Sequence, residues 1–138
     1  MEDFIKKRVN IEIKKAYYSA ARYNIPSTFA ILYHEDELSV DKLGEFVRIS
    51  DHFFRIDENH LFINFVMTEH DSAFKAAQNL ILNLDKLFNN TNTCIAIDNF
   101  DTTQSPSVVL HRLMQILDET KKNSYSRIED ENILNEIF

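Results

Sequence analysis

Apolar residues along the chain switch between a helical and an extended period, and those switches lay out the elements of one domain. Ile5, Val9, Ile13, Ala16 and Ala20 recur at spacings of 4, 4, 3 and 4. They form one side of an amphipathic lead-in helix over 4–23, with Lys6, Lys14 and Lys15 largely off the stripe. Pro26 lacks an amide donor and holds Ile25 extended, so the helix stops before it. Thr28-Phe29-Ala30-Ile31-Leu32-Tyr33 is apolar on both faces, which predicts a strand in the middle of a sheet. After His34-Glu35-Asp36-Glu37, Ser39 or Asp41 caps a short helix to about Arg48 with Leu43, Phe46 and Val47 inward. Residues 52–56 and 61–67 predict two strands joined through Asp57-Glu58-Asn59-His60, a hairpin.

The second half repeats the theme. Asp71 or Ser72 caps a long helix that has Ala73, Phe74, Ala77, Leu80, Ile81, Leu84, Leu87 and Phe88 along one face and ends at Asn89-Asn90. Residues 93–98 predict a strand. Ser105-Pro106 opens a last helix, since proline in a first turn costs no hydrogen bond, and Val109, Leu113, Ile116 and Leu117 face inward until it fades near Lys122-Asn123. Residues 128–138 fit a short helix or a strand equally. Without the lead-in helix the order is β-α-β-β-α-β, so the expected class is α+β. The expected architecture is a ferredoxin-like core with an antiparallel sheet, helices on its faces and a long N-terminal lead-in helix. The organisation reads as an N-terminal helix over 1–23, a domain over 24–124 and a tail over 125–138.

Composition narrows the function. The chain has 138 residues, 15 Lys plus Arg and 22 Asp plus Glu, for a net charge of −7. That balance opposes nucleic-acid binding, which relies on clustered cations. Gly44 is the sole glycine, where a typical chain of this size has roughly ten. Dinucleotide fingerprints, P-loops and nucleophile elbows need glycine for positive φ or close backbone approach, so none can be built. Cys94 is the sole cysteine, which excludes an internal disulfide and fits a reducing cytoplasm. The longest apolar run, 29–33, falls far short of the roughly 20 residues of a membrane helix, and 1–10 has no signal-peptide core. A cytoplasmic chain without membrane insertion is expected.

Three stretches resemble one family, the GGDEF domains of bacterial diguanylate cyclases. Ala21-Arg22-Tyr23-Asn24-Ile25-Pro26 is similar to that family's "RY..P" helix end before the first strand. Asp51-His52-Phe53-Phe54-Arg55-Ile56 is similar to its "D-x-x-x-R-x" strand, which leads into the signature hairpin. The strand Thr93-Cys94-Ile95-Ala96-Ile97-Asp98 and the helix ending at Thr120-Lys121 resemble the continuation. The resemblance covers roughly residues 12–124 and places the signature on Asp57-Glu58-Asn59-His60-Leu61.

The signature departs from the family's at each position that carries chemistry. Asp57 and Glu58 stand where the resemblance implies two glycines, bringing negative charge to where a triphosphate would lie. Asn59 and His60 stand where it implies an acid pair, so a two-Mg²⁺ site loses its hard carboxylate ligands. Tyr33 falls on the family's metal-binding aspartate, with Glu35 and Asp36 nearby but projecting differently. Only 22 positions separate Tyr33 from Arg55, too few for the family's intervening helix and guanine-contacting turn. Lys121 matches a phosphate-contacting lysine. The resemblance therefore implies a catalytically inactive regulatory or interaction domain in bacterial signalling, with no cyclase activity and no cofactor.

Two further functions stay open. Arg48-Ile49-Ser50-Asp51 has the RxxD form at which product-inhibited members bind cyclic di-GMP, with Asp51 six positions before Asp57. Arginine offers phosphate or guanine a bidentate fork and aspartate accepts from guanine nitrogens, which makes a cyclic di-GMP receptor the first alternative. A metal-dependent enzyme using His60 and Glu58 is the second, with His34, Glu35, His52 and His70 also metal-capable but in no fixed-geometry motif. Cys94 lies in an apolar strand, where a thiol is usually inert. As to partners, the stripe Ile5, Val9, Ile13 and Ala16 suits either a coiled-coil, by self-association or with another protein, or the chain's own sheet.

Overall fold

The computed structural model describes residues 1–122 and 126–137. In chain order the elements are α1 (Asp3–Tyr23), β1 (Ser27–His34), α2 (Val40–Gly44), β2 (His52–Arg55), β3 (His60–Val66), α3 (His70–Phe88), β4 (Thr93–Ile97), α4 (Pro106–Lys122), β5 (Ile128–Glu129) and α5 (Asn132–Ile137). The sheet runs β2-β3-β1-β4-β5. Strands β1 to β4 pair antiparallel, in the order of a ferredoxin-like core, and β5 lies parallel against β4. No helix among the described residues is long and apolar enough to cross a membrane.

Strand alternation divides the core into two layers. Ala30, Leu32, Ile63 and Phe65 face α3, which brings Ala73, Ala77, Leu80 and Leu84. Phe29, Ile31, Phe62 and Ala96 face α1 and α4, which bring Val9, Ile13, Leu113 and Leu117. Each of the Val, Leu, Ile and Phe side chains among them, withdrawn from water, contributes about 1.5–3 kcal/mol. The α1 stripe is thus covered by the chain's own sheet and α4, with Val9 and Ile13 fully buried, so in the folded chain it is closed to a coiled-coil partner. One carboxylate accompanies it: Glu12 Oε2 accepts from His52 Nδ1 and Asn64 Nδ2, both at 2.8 Å, joining α1 to β2 and β3.

Several boundaries differ from expectation for local reasons. Ser39 does cap α2, accepting from the Lys42 amide at 3.1 Å, but the helix stops at Gly44 rather than near Arg48. There Asp51 takes over the chain, donating its amide to Arg48 O at 2.9 Å and accepting from the Arg48 amide at 3.2 Å; a turn replaces the last helical residues. Neither Asp71 nor Ser72 caps α3. The helix begins earlier, with Glu69 as its N-cap and its first turn closed by Ala73 N to Glu69 O at 2.9 Å. The segment left between helix and strand contains both, as β5 and α5. Ile128 and Ile133 are buried in the two layers, so part of what the sequence sets apart as a tail completes the core. The boundary at 124/125, Asn123 and Phe138 lie outside the described residues.

Asparagine does the work usually given to glycine. Asn24 and Asn89 end α1 and α3 in the left-handed region, at φ 56° and 53°, a conformation asparagine tolerates better than other side chains. Gly44 is not among the positive-φ residues, and a Cβ built on it would meet only Phe53 Cζ, at 3.5 Å. Gly44→Ala is therefore expected to raise stability by about 0.4–1 kcal/mol by restricting the unfolded chain, read as a higher urea midpoint at unchanged slope.

His34 sets a pH dependence. It is fully buried, with Nδ1 at 2.7 Å from Thr93 Oγ1 and its ring centroid 4.4 Å from that of Phe88. Burial lowers its pKa below the ordinary 6.5, against the upward pull of Asp36, Asp85 and Glu35. The unfolded chain takes up that proton first, so this contribution is complete above about pH 6.5 and is lost as pH falls toward the folded-state pKa. Urea unfolding from about pH 7.5 to 5.5 should show a smaller loss of stability in His34→Leu than in the unaltered chain.

Candidate functional site

The turn between β2 and β3 lies beside the end of β1, where Tyr33 pairs with His60. Asp57 organises it. Its Oδ1 accepts the amides of Asn59 and His60 at 2.8 and 2.9 Å, which shapes the tip without any positive-φ residue. The same oxygen lies 2.8 Å from His60 Nδ1. Partial burial works against the Asp57 carboxylate, but the donors from His60 and Asn59 outweigh it and hold its pKa below the usual aspartate value.

Asn59 ties the tip to β1. Its side-chain amide donates to His34 O at 3.0 Å and Glu35 O at 2.8 Å, and its carbonyl accepts from the His34 amide at 2.9 Å. Arg55 braces the other side, donating to Glu37 Oε1 at 2.8 Å and to Asp57 O at 3.1 Å. Asp36 accepts from the side chain of Asn90 at 3.3 Å. Glu58 is exposed at the apex, and Leu61 is buried in the layer beneath α3.

Lys121 reaches across from the end of α4. Its Nζ lies 3.3 Å from His60 Nε2 and 3.9 Å from the centroid of the Tyr33 ring, whose centroid is 5.2 Å from that of His60. The partners assign the tautomer: His60 Nδ1–H donates to Asp57, and Nε2 accepts from the ammonium. Lysine over an aromatic face adds a cation–π attraction of about 0.5–1 kcal/mol at such an exposed site. Asp57, His60, Lys121 and Tyr33 thus satisfy one another. Sequence reasoning singled out each of them but not their meeting, which depends on how α4 crosses the sheet.

The remaining candidates fall elsewhere. Arg48 and Asp51 lie at the other end of β2, roughly 13 Å away at about 3.3 Å per residue. They grip each other, with Arg48 Nη2 at 2.9 Å from Asp51 Oδ1 and Nε at 3.3 Å from Oδ2. The same guanidinium donates to Val66 O at 2.9 Å and to Thr68 Oγ1. The Asp51 side chain is buried, at 2% exposure, whereas that of Arg48 is 53% exposed. Among the described residues no third histidine, cysteine or acid gathers with His60 and Glu58 into a metal-sized cluster. Cys94 is half-buried, and burial pushes its thiol up against the opposing pull of Arg127 and Lys121, so the reactive thiolate is disfavoured.

No protein-family model matches the sequence, and no curated protein matches it either. Solved structures do. The GGDEF domain of DgcB from Caulobacter crescentus, in complex with c-di-GMP, is 10% identical over 92% of this chain and 90% of that one, with a TM-score of 0.73. The diguanylate cyclase SiaD from Pseudomonas aeruginosa, in complex with its activator SiaC, is 9% identical over 91% of this chain and 57% of that one, at a TM-score of 0.75. PelD 158-CT from Pseudomonas aeruginosa PAO1 is 15% identical over 94% of this chain and 49% of that one, at 0.58. Identities this low speak to backbone arrangement alone. The fold of this chain is that of the GGDEF domains of diguanylate cyclases.

Proposed function

We propose that the chain is a GGDEF-like domain without cyclase activity that serves bacterial signalling in the cytoplasm as a regulatory or interaction module. The observation that carries this reading is the filled turn between β2 and β3. Lys121 Nζ sits 3.3 Å from His60 Nε2 and over Tyr33, and the Asp57 carboxylate is occupied by His60 and two backbone amides. A two-metal phosphoryl transfer needs open carboxylates and room for triphosphate. Here the carboxylate is spoken for and Glu58 adds like charge.

The outer face of α1 supports the interaction role. Phe4, Ile11 and Tyr18 recur every seventh residue and are 68%, 53% and 59% exposed, on the helix that also carries Lys7, Lys14 and Lys15. Apolar side chains amid cations favour an acidic protein partner over a second copy of the same helix, whose lysines would repel. A second reading, a receptor for cyclic di-GMP through Arg48 and Asp51, is favoured by the half-exposed Arg48 side chain and by the c-di-GMP held by DgcB.

Incubation with GTP and Mg²⁺ or Mn²⁺ should give no cyclic di-GMP by chromatography; steady product formation ends the first reading. For the second, calorimetric titration with cyclic di-GMP should show binding that Arg48→Ala reduces at least about tenfold, the loss of a charge-assisted bidentate contact. A flat titration removes it.

A further inference from the structure

Three metal-capable side chains converge at the end of the sheet opposite the β2–β3 turn. His70 opens α3, and Asp130 and Glu131 directly follow β5. They meet because β5 pairs with β4 in parallel register, Ile95 with Ile128 and Ala96 with Glu129, which carries the next residues past the start of α3. His70 Nε2 stands 3.4 Å from Asp130 Oδ2 and 3.3 Å from Glu131 Oε2. One ligand atom from each residue lies within 4.8 Å of the other two. Their side chains are 30%, 17% and 24% exposed, so the cluster is sheltered but reachable.

The distances are informative. Ligands at about 2.0–2.1 Å from a tetrahedral ion lie about 3.3–3.4 Å from one another, the separation of His70 from both acids. The surrounding bonds turn the ligand atoms inward. Asp130 Oδ1 accepts the Asn132 amide at 3.0 Å, which leaves Oδ2 to face the histidine. His70 Nδ1 lies on the far side of the ring, 3.8 Å from Oδ1 of the exposed Asp71, while Nε2 faces the two acids. Arg112, whose field reaches Glu131, is held by Asp98 through contacts of 2.7 and 2.9 Å. Among the described residues no lysine or arginine forms an ion pair with Asp130 or Glu131. Two acids thus share one histidine.

We propose that His70, Asp130 and Glu131 bind a divalent transition-metal ion of the zinc class, with water in the fourth position. One imidazole and two carboxylates form a borderline donor set that suits Zn²⁺ better than Mg²⁺. The ion clips the C-terminal β5–α5 segment to the start of α3, with Glu131 61 positions beyond His70 in sequence, and so couples metal binding to folding. The site is remote from the β2–β3 turn and independent of the signalling role proposed above.

The test uses the full chain stripped with a chelator, then titrated with Zn²⁺ by calorimetry and with Co²⁺ by visible absorption. One Zn²⁺ per chain, with the intense bands of tetrahedral Co²⁺, is expected. His70→Ala and the near-isosteric Asp130→Asn should each weaken binding by about tenfold or more, while His111→Gln, on the exposed face of α4, leaves it unchanged; circular dichroism checks that each variant is folded. Absence of stoichiometric uptake, or uptake that folded His70→Ala and Asp130→Asn retain, overturns the proposal.

Discussion

Burial of β1 on both faces and pairing along both of its edges is the constraint from which the rest of the molecule follows. Phe29 and Ile31 point to one layer and Ala30 and Leu32 to the other, so helices must cover the sheet on both sides. α3 covers one side, α1 and α4 the other. The strand then acts as a ruler between two chemical ends. At one, Tyr33 and His34 meet the β2–β3 turn; at the other, Ser27 pairs with Val66, just ahead of the start of α3.

Scarcity of glycine shapes both the helix ends and the turn. Where backbone turns left-handed, Asn24 and Asn89 supply it at the two helix ends and Met67 just after β3. At the β2–β3 turn the Asp57 side chain stands in for backbone freedom, gathering the next amides onto one oxygen. That solution has a chemical consequence. A glycine tip leaves space and bare amides for a ligand, whereas a tip held by aspartate fills the space and uses the amides. Lys121 and Tyr33 then complete a surface in which Asp57, Asn59 and His60 already have partners.

Much of the fold is legible in the sequence because its signals are local. The two-faced apolar run at 28–33, the heptad-like stripe of α1 and the Ser105-Pro106 start of α4 each report on their own neighbours. What escapes is non-local. The early end of α2 depends on Asp51 reaching back to Arg48, and the C-terminal segment carries too few residues to show a period before β4 offers it an edge. The site follows the same division. Its members Asp57, His60 and Lys121 are marked by the family resemblance, but the 3.3 Å contact between Lys121 and His60 is set by helix placement. The His70 cluster joins a helix start to a strand end, and nothing near His70 in sequence announces its two acids.

The sheet margins bear on solubility. β5 offers two residues and β2 four, so each border presents only a short row of unpaired peptide groups as a template for another strand. β4 would present a longer one, were it not shielded by the short β5, which Arg127 anchors through Thr93 O at 3.0 Å and the Asp85 carboxylate at 2.7 and 2.8 Å. A guanidinium and a two-residue strand thereby stand guard against edge-to-edge aggregation of the whole domain.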